Sequence, residues 1–189
     1  MSIHLHLRAV AESEIRDDHT WLAAFMWKAW ENHPDEYAAG IADSINNVWS
    51  SVDAFYAAAE VLEADADADA ATDTDTAADT DTAADTATDA DKPWMLPIYG
   101  GRPVAHSRDA DPSNPPMMFL EPGGVSQAAD FLARVSFDEL WNVAGAKLVG
   151  RGWDEAQARQ EFLDHHRSLQ GFYARAAAAG HGVVKVVWA

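Results

Sequence analysis

The sequence predicts an α+β fold: a small mixed or antiparallel sheet containing both terminal strands, packed by about five helices and interrupted by a disordered acidic insertion. Three observations predict it. Apolar and polar side chains alternate within Ser2–Val10, the chain closes on the apolar run Val183–Trp188, and the segments between repeat apolar residues at helical spacing.

Ile3, Leu5, Leu7 and Ala9 fall on one face of the first segment, and His4, His6 and Arg8 on the other. A period of two with a single apolar face is a half-buried strand. Asp17, Asp18 and Thr20 then offer N-caps to a helix running to about Asn32, with an inward stripe of Trp21, Leu22, Phe25, Met26, Ala29 and Trp30. His33-Pro34 ends it, because the residue before proline avoids the helical region. Ile41, Ile45, Val48, Val52, Phe55, Ala59 and Leu62 step by fours and threes, so one long central helix is expected there, with Trp49 and Tyr56 widening the stripe. From Lys92 to Pro122, prolines and glycines predict loop with one or two short strands, at Met95–Tyr99 and Met117–Leu120. Pro122 opens a helix to Val135. Ser136-Phe-Asp-Glu139 is a capping-box pattern for the next helix. Asp154 caps a last helix, Glu155 to Ala179, with Gly180 as its left-handed C-cap. The closing strand is expected to pair beside the first.

Between the central helix and the loop region lies ADADADAATDTDTAADTDTAADTATDAD, Ala64 to Asp91, where the unit DTDTAA recurs at Asp73–Ala78 and Asp79–Ala84. Nothing in it larger than Thr offers burial to offset the entropy of ordering, and its carboxylates repel one another. It reads as a disordered insertion within a single domain spanning residues 1–189, either a solubilising spacer or a segment that docks transiently on the cationic face of the first strand. Asp65, Asp67 and Asp69 mimic the opening of a calcium loop, but Ala70 and Thr76 stand where that loop needs Gly and Glu.

The formal net charge is −18. Ten of the 31 acidic residues lie in the tract, which leaves 21 against 13 basic residues, or −8, for the remainder. That balance disfavours nucleic acid and anionic membranes as partners. The absence of Cys excludes disulfides, thiolate nucleophiles and Cys-based metal or cluster sites. The N-terminus lacks the pattern of a secretory signal, and no apolar run approaches the roughly 20 residues of a membrane span. A cytoplasmic protein is expected, with no cofactor implied.

No segment announces a chemistry. His4 and His6 project in parallel from one strand face, so they are the candidate metal ligands, with a third to come from His106, His165, His166 or His181. Together with Arg8 they are also the candidate catalytic or anion-binding patch, facing Lys185 if the terminal strands pair. The alternative is an ordinary polar face, solvated or covered by helices. One of His165 and His166 must lie near the inward face of the last helix, as a base or as a hydrogen-bonded core histidine. Eight Trp make an aromatic binding surface conceivable, with Trp27 (off the main stripe) and Trp94 as its candidates, although most of the Trp should be core. Gly100-Gly101-Arg102 presents amides and a guanidinium to an anion, or simply makes a tight turn.

The ending GFYARAAAAGHGVVKVVWA (171–189) resembles the C-terminus of the YfbM-like bacterial family, a domain-of-unknown-function family. IYGGRPV (98–104) is similar to that family's apolar-Gly-Gly connection, FLEPGGVSQAADFLARVSFDEL (119–140) to its strand, proline, helix and following Ser-capped helix, and NNVWSSVDAFY (46–56) to its core helix. The resemblance covers most of the chain outside the tract and implies the α+β fold. It carries over no activity and no catalytic residue. The tract and the His-x-His depart from the family pattern. The reading that remains is a non-enzymatic interaction or regulatory module with a protein partner, such as a basic protein to be sequestered. The alternative is a small-molecule (anion) binder or hydrolase-type enzyme using His4, His6 and Arg8.

Overall fold

The computed structural model describes residues 3–64, 92–106, 116–149 and 154–188. Its sheet is wholly antiparallel and runs β2-β1-β5-β4-β3, with β1 His4–Ala11, β2 Ala42–Asn46, β3 Arg102–Val104, β4 Met117–Leu120 and β5 His181–Trp188. The two terminal strands pair at its centre, Leu5 opposite Val187 and Ala9 opposite Val183. Among the described residues six helices accompany it: α1 His19–Glu31, α2 His33–Ala39, α3 Trp49–Tyr56, α4 Pro122–Arg134, α5 Phe137–Leu148 and α6 Glu155–Ala178. A further helical stretch covers 58–64.

The caps fall where the sequence places them. Asp18, Ser136 and Asp154 accept amide hydrogens of Trp21, Glu139 and Gln157, and Gly180 adopts φ 65° after α6. Alternation along the strands then divides the sheet into two faces. Leu5, Leu7, Ala9, Val183 and Leu120 join the larger core beneath α3 to α6, where Phe55 meets Phe137, Phe162 and Trp141. Val10, Val184, Val186, Met117, Phe119 and Val104 form a second core under Leu22 and Met26 of α1. The sheet is thus covered on both sides, and β1 is buried on both faces rather than half-buried: His6 and Arg8 are 9% and 8% exposed.

Four expectations are corrected. The long helix from Ile41 is instead β2, a turn and the shorter α3. Asp43, Ser44, Asn46 and Asn47 compete for backbone hydrogen bonds and disfavour helix interiors. Gly40 stops α2 in the left-handed region at φ 68°, and Asn47 turns the chain at φ 38°, its side chain accepting from the Ile3 amide at 2.9 Å. Between those two turns the chain supplies the partner that the open side of β1 needs. His33-Pro34 ends α1 but opens α2, with proline in the first turn, where its missing N–H costs nothing. Met95 ends a 3-10 helix (Pro93–Met95), 96–99 are turn, and the strand lies later, at Arg102–Val104. Finally, the inward positions of α1 are His19, Leu22, Met26 and Ala29, which rotates Trp30 out of the stripe and leaves it 46% exposed. The acidic tract, with the calcium-loop resemblance inside it, lies outside the described residues apart from Ala64.

Phe55 carries the most ring contacts in the larger core and is 1% exposed. Phe55→Ala is expected to cost about 3–5 kcal/mol in urea denaturation, through lost burial and an unfilled cavity; a cost below about 1 kcal/mol would contradict this packing.

Candidate functional site

The first-strand patch is built by strand register. His6 pairs with Val186 and Arg8 with Val184, whereas Lys185 lies opposite Leu7. Lys185 therefore projects from the other face of the sheet and does not face His4, His6 or Arg8. Its ammonium donates to the carbonyls of Leu96 and Gly100 (the latter at 2.9 Å), and Tyr173 Oη donates to the Pro97 carbonyl at 2.8 Å. Two core side chains thus pin the loop that leads to β3. In that loop Gly101 sits at φ 117°, and a Cβ there would lie 2.7 Å from the Phe119 carbonyl oxygen. Gly100-Gly101 makes a tight, close-packed turn. Arg102 is held by Asp17 at 3.0 Å and Glu121 at 3.3 Å, with its guanidinium over the Phe119 ring.

On the α1/α2 side, Arg8 Nη2 meets Glu36 Oε1 at 2.5 Å, Nη1 donates to the Phe25 carbonyl, and the guanidinium lies 3.9 Å from the Phe25 ring centroid. Its charge is already matched by an internal carboxylate. His6 Nδ1 and Tyr37 Oη are 3.2 Å apart. Burial, ahead of the nearby carboxylates, holds the Tyr37 hydroxyl above its ordinary range, so it stays protonated. His4 and His6 lie 5.8 Å apart, and among the described residues no group of three or more His, Asp or Glu stands where it could hold a metal ion. Three grooves of about 500, 270 and 220 Å3 lie elsewhere, none lined by His4, His6 or Arg8.

What the patch offers instead is aromatic surface. His6 sits 5.2 Å from Trp30 and 6.3 Å from Trp188, His4 lies 6.3 Å from Trp30, and Trp27 lies 5.1 Å from Trp188. Five rings from α1, β1 and β5 therefore form one connected cluster. Trp27 is 53% exposed and Trp30 46%. Trp27 was legible as a surface residue; Trp30 and Trp188 were not, because their apolar runs read as core. Trp94 packs instead against the larger core, with the Lys92 ammonium over its ring.

The remaining buried polar groups lie beneath the other face. His166 is the inward histidine of the α6 pair, hydrogen-bonded to the Tyr56 hydroxyl at 3.1 Å, and burial pushes it down to about 4. Asp43 accepts from Ser168 Oγ at 2.8 Å, and burial raises its carboxyl against that bond. Burial also pushes Asp53 up to about 6, opposed by the Lys185 ammonium, and among the described residues Asp53 Oδ1 has no hydrogen-bond partner. Sequence reasoning missed both aspartates, because they fell within the segment read as one helix. Among the described residues, no helix is long and apolar enough to cross a membrane.

The family described as "Domain of unknown function (DUF1877)" matches residues 1–186. No curated protein matches the chain. The crystal structure of YfbM from Escherichia coli, a protein of unknown function, is similar at a TM-score of 0.49 and 14% identity, with 100% of each chain covered.

Two predictions follow the buried charges. Glu36→Gln strands the Arg8 cation between helices and sheet and is expected to cost about 3–5 kcal/mol by urea denaturation; a neutral outcome would mean that Arg8 reaches water. Asp53 has an ordinary value of 3.8 and a folded value of about 6. Between those values the folded state binds a proton that the unfolded state lacks, so stability from this group falls as pH rises through the window and stays low above it. His166, lowered from 6.5 to about 4, slopes the opposite way across its own window, which is why the Asp53 effect is read as a difference between variants. Asp53→Asn is expected to stabilise near neutral pH by on the order of 1 kcal/mol, with the gain vanishing near pH 4; a loss at neutral pH would contradict the account.

Proposed function

The chain belongs to the DUF1877 family, and we propose that it acts as a non-enzymatic interaction module that docks a protein partner on the aromatic patch formed by Trp27, Trp30, Trp188 and His4, with the buried His6 ring packed behind Trp30 and Trp188. The observation that carries this reading is the exposure of two indoles, 53% and 46%, beside one another on α1. Trp is costly to leave in water and is enriched at the energetic centres of protein interfaces. The patch is also supported from below: His4 and Trp188 are paired across β1 and β5, at one end of the longest ladder in the sheet.

The alternative, an anion binder or hydrolase-type enzyme built on His4, His6 and Arg8, draws less support. Glu36 neutralises Arg8, helices cover Arg8 and His6, and Lys185 is on the opposite face. Such a site would need a cation turned toward a cavity.

The test is affinity capture with the full chain and with Trp27→Ala/Trp30→Ala, followed by reconstitution with the purified captured protein. The double variant is expected to bind at least about tenfold more weakly, with its denaturation midpoint little changed, since both indoles are half in water. Equal binding by both proteins would remove the patch from the function. Turnover of a small ester or phosphate substrate, lost on His6→Ala, would favour the enzyme reading instead.

A further inference from the structure

We infer that the partner surface read by this patch is arginine-rich, and that a partner guanidinium stacks on the exposed indoles while pairing with Glu31. This rests on the reading of the patch as a docking face and adds the chemistry of what docks.

Glu31 is exposed and stands one helical turn beyond Trp27, so a group resting on that indole lies within reach of its carboxylate. An aromatic face beside a carboxylate is a receptor for a planar cation: the ring quadrupole attracts the charge, and the carboxylate accepts the N–H fork. Among the described residues the molecule itself uses this combination three times with arginine, and once with lysine, Lys92 over Trp94 and paired with Glu60. Arg8 lies over Phe25 and pairs with Glu36. Arg102 lies over Phe119 and pairs with Asp17 and Glu121. Arg159 lies over Phe137 and pairs with Asp138. At Trp27 and Glu31 an exposed ring and an exposed carboxylate stand one turn apart on the same helix.

Charge selects among occupants. A chain of net charge −18 draws cations and repels its own copies, so an apolar patch on it suits a basic surface better than a second identical chain. Arginine suits it better than lysine. The guanidinium is planar and weakly hydrated, so it leaves water for a ring face more readily than a compact ammonium does.

The experiment titrates end-blocked octa-arginine, octa-lysine and octa-serine into the full chain at low and at high salt, read by calorimetry and by tryptophan fluorescence. Octa-arginine is expected to bind and quench, octa-lysine to bind more weakly, and octa-serine not to bind. Trp27→Ala and Trp30→Ala should each weaken octa-arginine by about tenfold, and Glu31→Gln by about threefold. Octa-arginine binding that is the same in all three variants would place the contact on other carboxylates and overturn the inference. So would equal affinity for octa-lysine. Self-association of the wild type in sedimentation, abolished by Trp27→Ala, would hand the patch to a second copy. The two readings fail separately. If octa-arginine ignores the patch while Trp27→Ala/Trp30→Ala still loses a captured protein partner, only the arginine chemistry falls. If that variant also keeps its partner, both fall.

Discussion

The antiparallel ladder between β1 and β5 is the constraint from which the rest of the structure follows. It joins the two ends of the chain across the middle of the sheet, with eight residues of β1 in register with eight of β5. Closing so long a loop carries a large entropic cost, offset here because both strands are buried on both faces. Once this register is set, every neighbouring side chain is assigned a face. β2 adds to the outer side of β1, β4 to the outer side of β5, and β3 to β4. The helices then fill two unequal layers, a larger one under α3 to α6 and a smaller one under α1.

The same register decides the chemistry. Alternation sends Lys185 into the larger core and His6 and Arg8 toward α1 and α2, so cations that are near neighbours in the sheet act in separate environments. Each is engaged there: Lys185 by loop carbonyls, Arg8 by Glu36 and the Phe25 ring. Such burial of charge is sustained only by close pairing, and it turns a face that could have received an anion into internal structure. What stays open is aromatic, at the end of the sheet where α1 leaves Trp27 and Trp30 beyond its inward stripe.

Much of this was legible in the sequence, and the failures have physical causes. The strand alternation at Ile3–Ala9, the caps at Asp18, Ser136 and Asp154, Gly180, and the apolar ending all act locally, so residues alone revealed them. The Ile41–Leu62 segment misled because a step of three and four does not distinguish a helix from a strand followed by a helix; the turn-forming Asn46-Asn47 was the signal to weigh. The covering of His6 and Arg8 depends on α2, which exists only because Pro34 begins a helix instead of merely ending one. Trp27 could be read as exposed from its place off the stripe. Trp30 could not, since the true stripe gains His19 and loses Trp21, Phe25 and Trp30, and that choice is made by packing against the sheet. The pairing of Arg8 with Glu36 and of Tyr56 with His166 joins residues distant in sequence, which no local pattern records.

Hydrogen exchange of the backbone amides, followed by mass spectrometry under native conditions, tests the central place of this ladder most directly. Peptides covering His4–Ala11 and His181–Trp188 are expected to exchange together and slowest of all, only through global unfolding. If either strand exchanged at the rate of the loops while the helices stayed protected, the terminal ladder would not be what holds the two layers together, and the account would be wrong at its root.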